Sequence, residues 1–233
     1  MKPWQRVAAA LAAALVFWFG APRVLRHLGF FRVRQIELVG LRYLAPETVL
    51  DALHIAPRAS VFDGTAVLTA RVRALRGVAD ARVVRRLPGA LRVIVREVEP
   101  LALVPGPGGR ALEVVDGNGQ ALPYDPSRTT LDLPIVASAD SGLVSVLALV
   151  RSVDPTLFEE ITAARVGRGG GGGGVVLELT KRRVLVARDV GPEVIRAVVL
   201  VSQDLAARSR AYTELDARYA GQIVVRRTAG GGA

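Results

Sequence analysis

Two glutamates, Glu97 and Glu99, are spaced so that they could share acid–base chemistry. In a β-strand, residues two apart point to the same side, so both carboxylates would face one way beside Pro100. General acid–base catalysis needs a positioned proton-transfer partner, and no histidine or further acidic motif accompanies this pair. We therefore predict a structural or partner-pairing role for the two carboxylates.

The other residue types offer little for nucleophilic or metal chemistry. The chain has no cysteine and only two histidines, which excludes thiolate nucleophiles and cysteine-ligated zinc or iron–sulfur sites. His54 stands at the end of a predicted helix, where a capping or surface role is expected. Three serines lack the glycines of a nucleophile elbow: Ser60, Ser141 and Ser202. The sequence predicts no catalytic, metal or cofactor site and indicates a protein that is not an enzyme.

Two glycine-rich segments have the composition of ligand loops. Residues 169–174 are all glycine, but no Lys-Ser or Lys-Thr pair follows them, and Val175 begins a predicted strand instead of a helix. The segment Gly117-Asn118-Gly119 is typical of a tight turn. We predict a hairpin tip at the first segment, a turn at the second, and no small-molecule substrate.

The chain is basic, with a net charge of +10 over 233 residues. Its basic residues are arginines except for Lys2 and Lys181, and they are spread through apolar segments. A nucleic-acid-binding protein normally gathers its basic residues on one face or helix. The composition therefore favours a globular or membrane-anchored protein with no nucleic-acid partner.

Residues 7–22 form an apolar run without a charged residue. A helix of this length rises roughly 24 Å, so it needs its flanking Trp4 and arginines to reach across a hydrocarbon core of ~30 Å. We predict an uncleaved transmembrane helix. The alternative is a cleaved signal peptide on an exported envelope enzyme, but the bulky Phe17-Trp18-Phe19 and Pro22 disfavour a cleavage site. Both flanks are basic, so charge alone leaves the orientation open.

The segment after the anchor has the pattern of a small mixed domain. Residues 31–40 alternate as a strand, Pro46 can open a short helix, and Asp63 is a predicted cap for a second helix. Two further alternating runs are joined by a turn at residues 88–89, and the inward stripe of the last is Leu91, Val93 and Val95. The order strand, helix, helix, strand, strand predicts a three-stranded sheet covered on one face.

The second half predicts a mixed, mostly antiparallel β domain with at least two helices. A hairpin turns at residues 105–109, and helices are predicted at 192–207 and, capped by Ser141, at 142–153. Further strands are predicted at residues 161–166, 175–179, 184–187, 212–215 and 222–225. The overall fold class is α+β.

Several motifs resemble one family of bacterial proteins. Residues 77–95, GVADARVVRRLPGALRVIV, are similar to the POTRA-domain signature of the division protein FtsQ, called DivIB in some lineages. The continuation Glu97-Val98-Glu99-Pro100 departs from the family's E-R-x-P, because Val98 replaces the basic residue. Residues 114–119, 133–136 and 215–219 also resemble segments of the family's second, β domain.

The resemblance implies a divisome scaffold at the septum, anchored in the cell inner membrane with its C-terminal part extracytoplasmic. It implies that the scaffold regulates septal cell-wall synthesis by binding other division proteins, and that FtsB, acting with FtsL, is the partner that pairs with the exposed C-terminal strand. The implied domains are a cytoplasmic tail (1–6), a transmembrane helix (7–22), a POTRA domain (31–99), a β domain (100–227) and a flexible tail (228–233).

The predicted partner-binding residues lie at the end of the β domain. They are Arg218, Tyr219, Gln222, Ile223, Val224 and Val225. Arg218 and Tyr219 match the R-Y of the family's closing segment. The alternative is that Tyr219 packs in the sheet and Arg218 pairs with Asp216.

Overall fold

The computed structural model describes residues 29–109, 111–127, 131–167 and 173–227. The chain divides into two compact units, with the boundary between Val98 and Glu99. The predicted transmembrane helix at 7–22, the tail at 228–233 and most of the glycine run lie outside the described residues. Within the described ranges, no helix is both long enough and apolar enough to cross a membrane.

The first unit has the predicted element order. It consists of β1 (Gln35–Val39), α1 (Pro46–Leu53), α2 (Thr65–Arg73), β2 (Val78–Arg86) and β3 (Ala90–Glu97). The three strands form one sheet in the order β1-β3-β2, with β1 parallel and β2 antiparallel to β3. The fold of this unit is therefore a three-stranded sheet with two helices inserted between its first and second strands.

The core of the first unit lies between one face of the sheet and the two helices. The predicted inward stripe of β3 is confirmed, since its alternate residues are buried. The fully buried or nearly buried core side chains are Val49, Leu53, Val61, Val72, Ala81, Val83, Leu91, Val93 and Val95. The predicted cap of α2 was wrong: Gly64 occupies that position, and the Asp63 carboxylate instead accepts a hydrogen bond from the Ser60 N–H at 2.8 Å. Asp63 is therefore engaged in the turn that precedes the helix.

Strand β2 lies at an edge of this sheet, but side chains from α2 occupy its outer backbone groups. Arg73 Nε donates to the carbonyl of Ala81 at 3.0 Å. The N–H of Val83 donates to Thr69 Oγ1 at 3.2 Å. The helix therefore closes this edge with hydrogen bonds from its own side chains.

The described residues of the second unit form a nine-stranded sheet and three α-helices. The strands are β4 (Ala102–Pro105), β5 (Leu112–Val115), β6 (Ala121–Leu122), β7 (Ile135–Val136), β8 (Ile161–Val166), β9 (Val175–Leu179), β10 (Arg183–Val186), β11 (Glu214–Ala217) and β12 (Val224–Arg226). The helices are α3 (Ser141–Val153), α4 (Pro155–Glu159) and α5 (Pro192–Ala207). The sheet order is β12-β11-β10-β9-β8-β7-β4-β5-β6, and most neighbouring pairs are antiparallel.

The helices of this unit pack on one face of the sheet around Leu147, Val150, Leu177 and Ile195. Helix α5 has the predicted bounds because Pro192 occupies its first turn, where a missing N–H costs nothing. The cap of α3 differs from the prediction. Asp140, and not Ser141, accepts the Leu143 N–H at 3.1 Å, so the helix begins one residue earlier than predicted.

Candidate partner-binding edge

Strand β12 is the outermost strand at one end of the second sheet. It pairs antiparallel with β11 in the register Glu214–Arg226, Leu215–Val225 and Asp216–Val224. The backbone of Thr213 extends the pairing through a 2.9 Å bond to the carbonyl of Arg226. No further strand of the described chain covers the outer side of β12, which leaves that side free to pair with another chain.

The predicted bounds of this strand were wrong. β12 begins at Val224, so Gln222 and Ile223 precede it. The N–H of Gln222 donates to the Tyr219 carbonyl at 3.3 Å, and Gly221 has a positive φ of 73°. Residues 219–222 are therefore held in the turn before the strand.

The side chains of this segment alternate between the core and the outside. Ile223 and Val225 are partly buried and pack against the core of the second unit. Val224 is exposed, and Gln222 is exposed in the turn. Of the predicted partner-binding residues at 222–225, Ile223 and Val225 therefore pack the strand against the core, and Gln222 and Val224 face outward.

Arg218 follows β11 directly and forms a bidentate ion pair with Asp216. The guanidinium donates to the carboxylate through Nε at 2.8 Å and through Nη2 at 2.7 Å. The Asp216 side chain is 1% exposed, and Arg218 keeps about a quarter of its surface in solvent. The hydrogen bonds from Arg218 hold the pKa of the Asp216 carboxyl below its ordinary value, so it is ionised at neutral pH.

Tyr219 stands outside the sheet with 54% of its surface exposed. Its ring lies 6.0 Å from the guanidinium carbon of Arg218, close enough for a weak cation–π contact. The structure thus brings together both halves of the predicted Arg–Tyr pair, with Arg218 paired to Asp216 and Tyr219 presented to solvent. An exposed aromatic ring in the turn that precedes an open edge strand is a typical anchor for a partner.

Residues that the sequence did not single out extend this site across the sheet. Glu214 is buried, forms an ion pair with Arg226 at 3.1 Å, and accepts a hydrogen bond from Arg183 on β10. With Arg165 and Arg218, these arginines line a cleft of about 370 Å³ on the sheet face that carries Glu214. Residues two apart on a strand share a face, so Glu214 and Asp216 lie on one side of β11, but only the pairing of β10 with β11 places Arg183 opposite Glu214.

The residues considered for acid–base chemistry have separate surroundings. The Glu97 carboxylate accepts three backbone N–H groups, from Arg42 at 2.9 Å, Tyr43 at 2.9 Å and Leu44 at 2.8 Å. Glu99 is 80% exposed and lies 3.9 Å from Arg151. Glu97 thus anchors the loop between β1 and α1, and the two carboxylates do not share a site.

The histidine and serines also have structural partners. His54 ends α1 in a left-handed conformation, with its N–H bonded to the Asp51 carbonyl. Ser60 Oγ donates to the Phe31 carbonyl at 3.3 Å, and Ser202 shares a 2.8 Å hydrogen bond with the Tyr212 hydroxyl. Among the described residues, no group of three or more histidines and carboxylates is placed to hold a metal ion.

The comparison with known families agrees with the element order of the first unit. Residues 31–97 match the family model described as POTRA domain, FtsQ-type. The match begins before β1 and ends on the last residue of β3, so it covers the whole three-stranded sheet.

Curated relatives extend the similarity into the second unit. The chain is 28% identical over 157 residues to the cell division protein FtsQ of Mycobacterium tuberculosis, covering 66% of this chain and 48% of the relative. It is 27% identical over 222 residues to the FtsQ of Rhodothermus marinus, covering 85% and 78%. A match of 33% identity over 110 residues to the FtsQ of Anaeromyxobacter covers 47% and 36%.

The chain spans about half the length of the mycobacterial relatives that it matches. The β-α-α-β-β unit, the family model and these relatives agree with one another: residues 31–97 match a POTRA domain of the FtsQ type, and much of the chain is similar to cell division proteins FtsQ.

Proposed function

We propose that this chain is a cell division protein that acts as a membrane-anchored scaffold, with its described units outside the cytoplasm at the division septum. Its relatives carry the name cell division protein FtsQ, which supports the role in division. Residues 7–22 supply the anchor. The chain regulates septal cell-wall synthesis by binding other division proteins and not by catalysing a reaction.

The partner adds a strand to the open edge of β12. The observation that carries this proposal is the outermost position of β12 in the sheet, with Tyr219 exposed in the turn that leads into it. Strand addition supplies backbone hydrogen bonds for affinity, and side chains beside the edge supply specificity. The partner is the extracytoplasmic segment of FtsB, acting with FtsL.

Tyr219 is the cleanest residue for a test because it contributes little to the fold. Tyr219→Ala should weaken binding of the FtsB segment by at least ~2 kcal/mol, about thirtyfold in Kd, with an unchanged unfolding midpoint. Calorimetric titration of the full chain in nanodiscs measures this. Tyr219→Phe keeps the ring and should retain most of the affinity.

Leu200 provides a matched control. It is 66% exposed on α5, so Leu200→Ala also removes an exposed apolar side chain, but from a helix instead of from the segment that precedes β12. Its Kd should equal that of the unmodified chain. Wild-type affinity in Tyr219→Ala would reject the proposed edge. Arg218→Ala is a poorer test because it strands the buried Asp216 carboxylate and destabilises the unit itself.

A further inference from the structure

One end of the first unit exposes two large apolar side chains. Phe30 is 61% exposed and Leu87 is 63% exposed, more than any other large hydrophobic residue described in that unit. Phe30 belongs to a short 3-10 helix before β1, and Leu87 lies in the turn between β2 and β3. Exposing large apolar side chains to water is unfavourable, and exposed apolar groups that lie together often mark a binding surface, so this end is a candidate contact surface.

Backbone contacts hold the two segments together. The N–H of Arg34 donates to the Gly89 carbonyl at 2.8 Å. The Arg34 guanidinium donates to the Phe30 carbonyl at 3.2 Å and lies 6.0 Å from the Phe30 ring. A side chain at position 89 would stand 2.8 Å from the Arg32 carbonyl, so only glycine permits this approach. We call residues 29–34 and 85–89 together the apolar tip.

The apolar tip is strongly basic. Its two segments, GFFRVR and RRLPG, contain four arginines and no acidic residue. All three of Arg32, Arg85 and Arg86 are exposed, and Arg85 also donates to the Val61 carbonyl at 2.7 Å. Exposed apolar groups beside exposed guanidinium groups match the interface of a bilayer, where acyl chains take the former and phosphates the latter.

The chain enters the apolar tip from the side of the proposed anchor. Only eight residue steps separate Pro22, the end of the apolar run, from Phe30. A fully extended chain of this length spans at most about 28 Å. The tether therefore keeps the tip at a high effective concentration beside the lipid headgroups.

We propose that the apolar tip docks the POTRA domain on the outer surface of an anionic bilayer. Phe30 and Leu87 enter the interface, and Arg32 and Arg86 contact lipid phosphates. The proposal rests on the proposed anchor. It assigns the tip to lipid instead of to an acidic protein because the short segment after the anchor already holds the tip close to the bilayer.

A site-specific fluorophore tests this docking. Because the chain has no cysteine, Leu87→Cys creates a unique labelling position for a nitrobenzoxadiazole probe. The full chain is reconstituted in vesicles rich in phosphatidylglycerol or made of phosphatidylcholine alone. In the anionic vesicles the probe should be blue-shifted and quenched by spin-labelled lipid. Substituting both Arg32→Gln and Arg86→Gln should reduce that quenching at least about threefold.

Val39→Cys is the matched control. Val39 is also exposed and apolar but stands at the opposite end of β1 from the tip. Its probe should remain unquenched. Equal quenching at positions 87 and 39 overturns the proposal, as does quenching of position 87 that appears only after an acidic protein is added. Vesicle flotation tests the anchor separately from the docking of the apolar tip. A chain that does not float with lipid lacks the anchor, whereas a chain that floats without quenching at position 87 has the anchor but no docked tip.

Discussion

One edge strand in each unit, β2 in the first and β12 in the second, has opposite surroundings. In the first unit, Thr69 and Arg73 bond to the outer backbone of β2, and the helix that carries them covers the edge. In the second unit, the described residues bond to β12 only from the side of β11. An edge strand thus becomes closed or available according to what packs beside it, and β12, which follows the turn that carries Tyr219, is an available edge.

The largest effect is expected from breaking the core of the closed unit. Val93 is fully buried in β3, so Val93→Asp places an unpaired carboxylate in the core and should cost roughly 4 kcal/mol or more. Hydrogen exchange of residues 35–97 should show loss of protection. Ile94→Asp is the control, because Ile94 is 39% exposed on the other face. Equal damage from both changes would mean that the strand register is shifted by one residue.

A smaller effect is expected from the ion pair that stabilises the open edge. Asp216→Asn removes a buried carboxylate that Arg218 holds, and should lower the free energy of unfolding by about 1–3 kcal/mol near neutral pH. The pKa of Asp216 is lowered in the folded state, so its contribution is present at neutral pH and is lost as the pH falls below about 4.

Denaturant titration near neutral pH and near pH 3 measures both parts of this prediction. The difference between wild type and Asp216→Asn should shrink at the lower pH. Asp204→Asn is the control, since Asp204 is about half exposed and its pair with Arg208 should contribute little. A difference that grows on acidification would contradict the assigned sign.

The smallest effect is expected from removing one of the hydrogen bonds that cover the edge of β2. Thr69→Ala removes the acceptor for the Val83 N–H and should cost about 1 kcal/mol. Thr48→Ala, an exposed threonine of α1, should change the stability by less. Partial opening of β2 should also promote self-association, which sedimentation at increasing concentration detects. Unchanged stability in Thr69→Ala would show that this bond does not close the edge.

Local patterns were enough to predict most elements. Helix α1 begins at the predicted Pro46 and helix α5 has the predicted bounds, because each has proline in its first turn and a regular apolar stripe. The inward stripe of β3 follows from strict alternation. The predictions were wrong at the ends of elements, as for the cap of α3 at Ser141 and the start of β12 at Gln222. Caps and turns depend on one or two hydrogen bonds that neighbouring residues can supply equally well.

By itself, the sequence determined the order of elements, the absence of cysteine chemistry and the resemblance to FtsQ. It could not determine which distant strands become neighbours. Arg183 pairs with Glu214 because β10 and β11 lie side by side and parallel, joined by the connection that contains α5. Glu97 accepts hydrogen bonds from residues 42–44 because β1 lies beside β3. Such pairings are decided by packing between segments far apart in the chain, and only the tertiary structure shows that β2 is covered while β12 is left open.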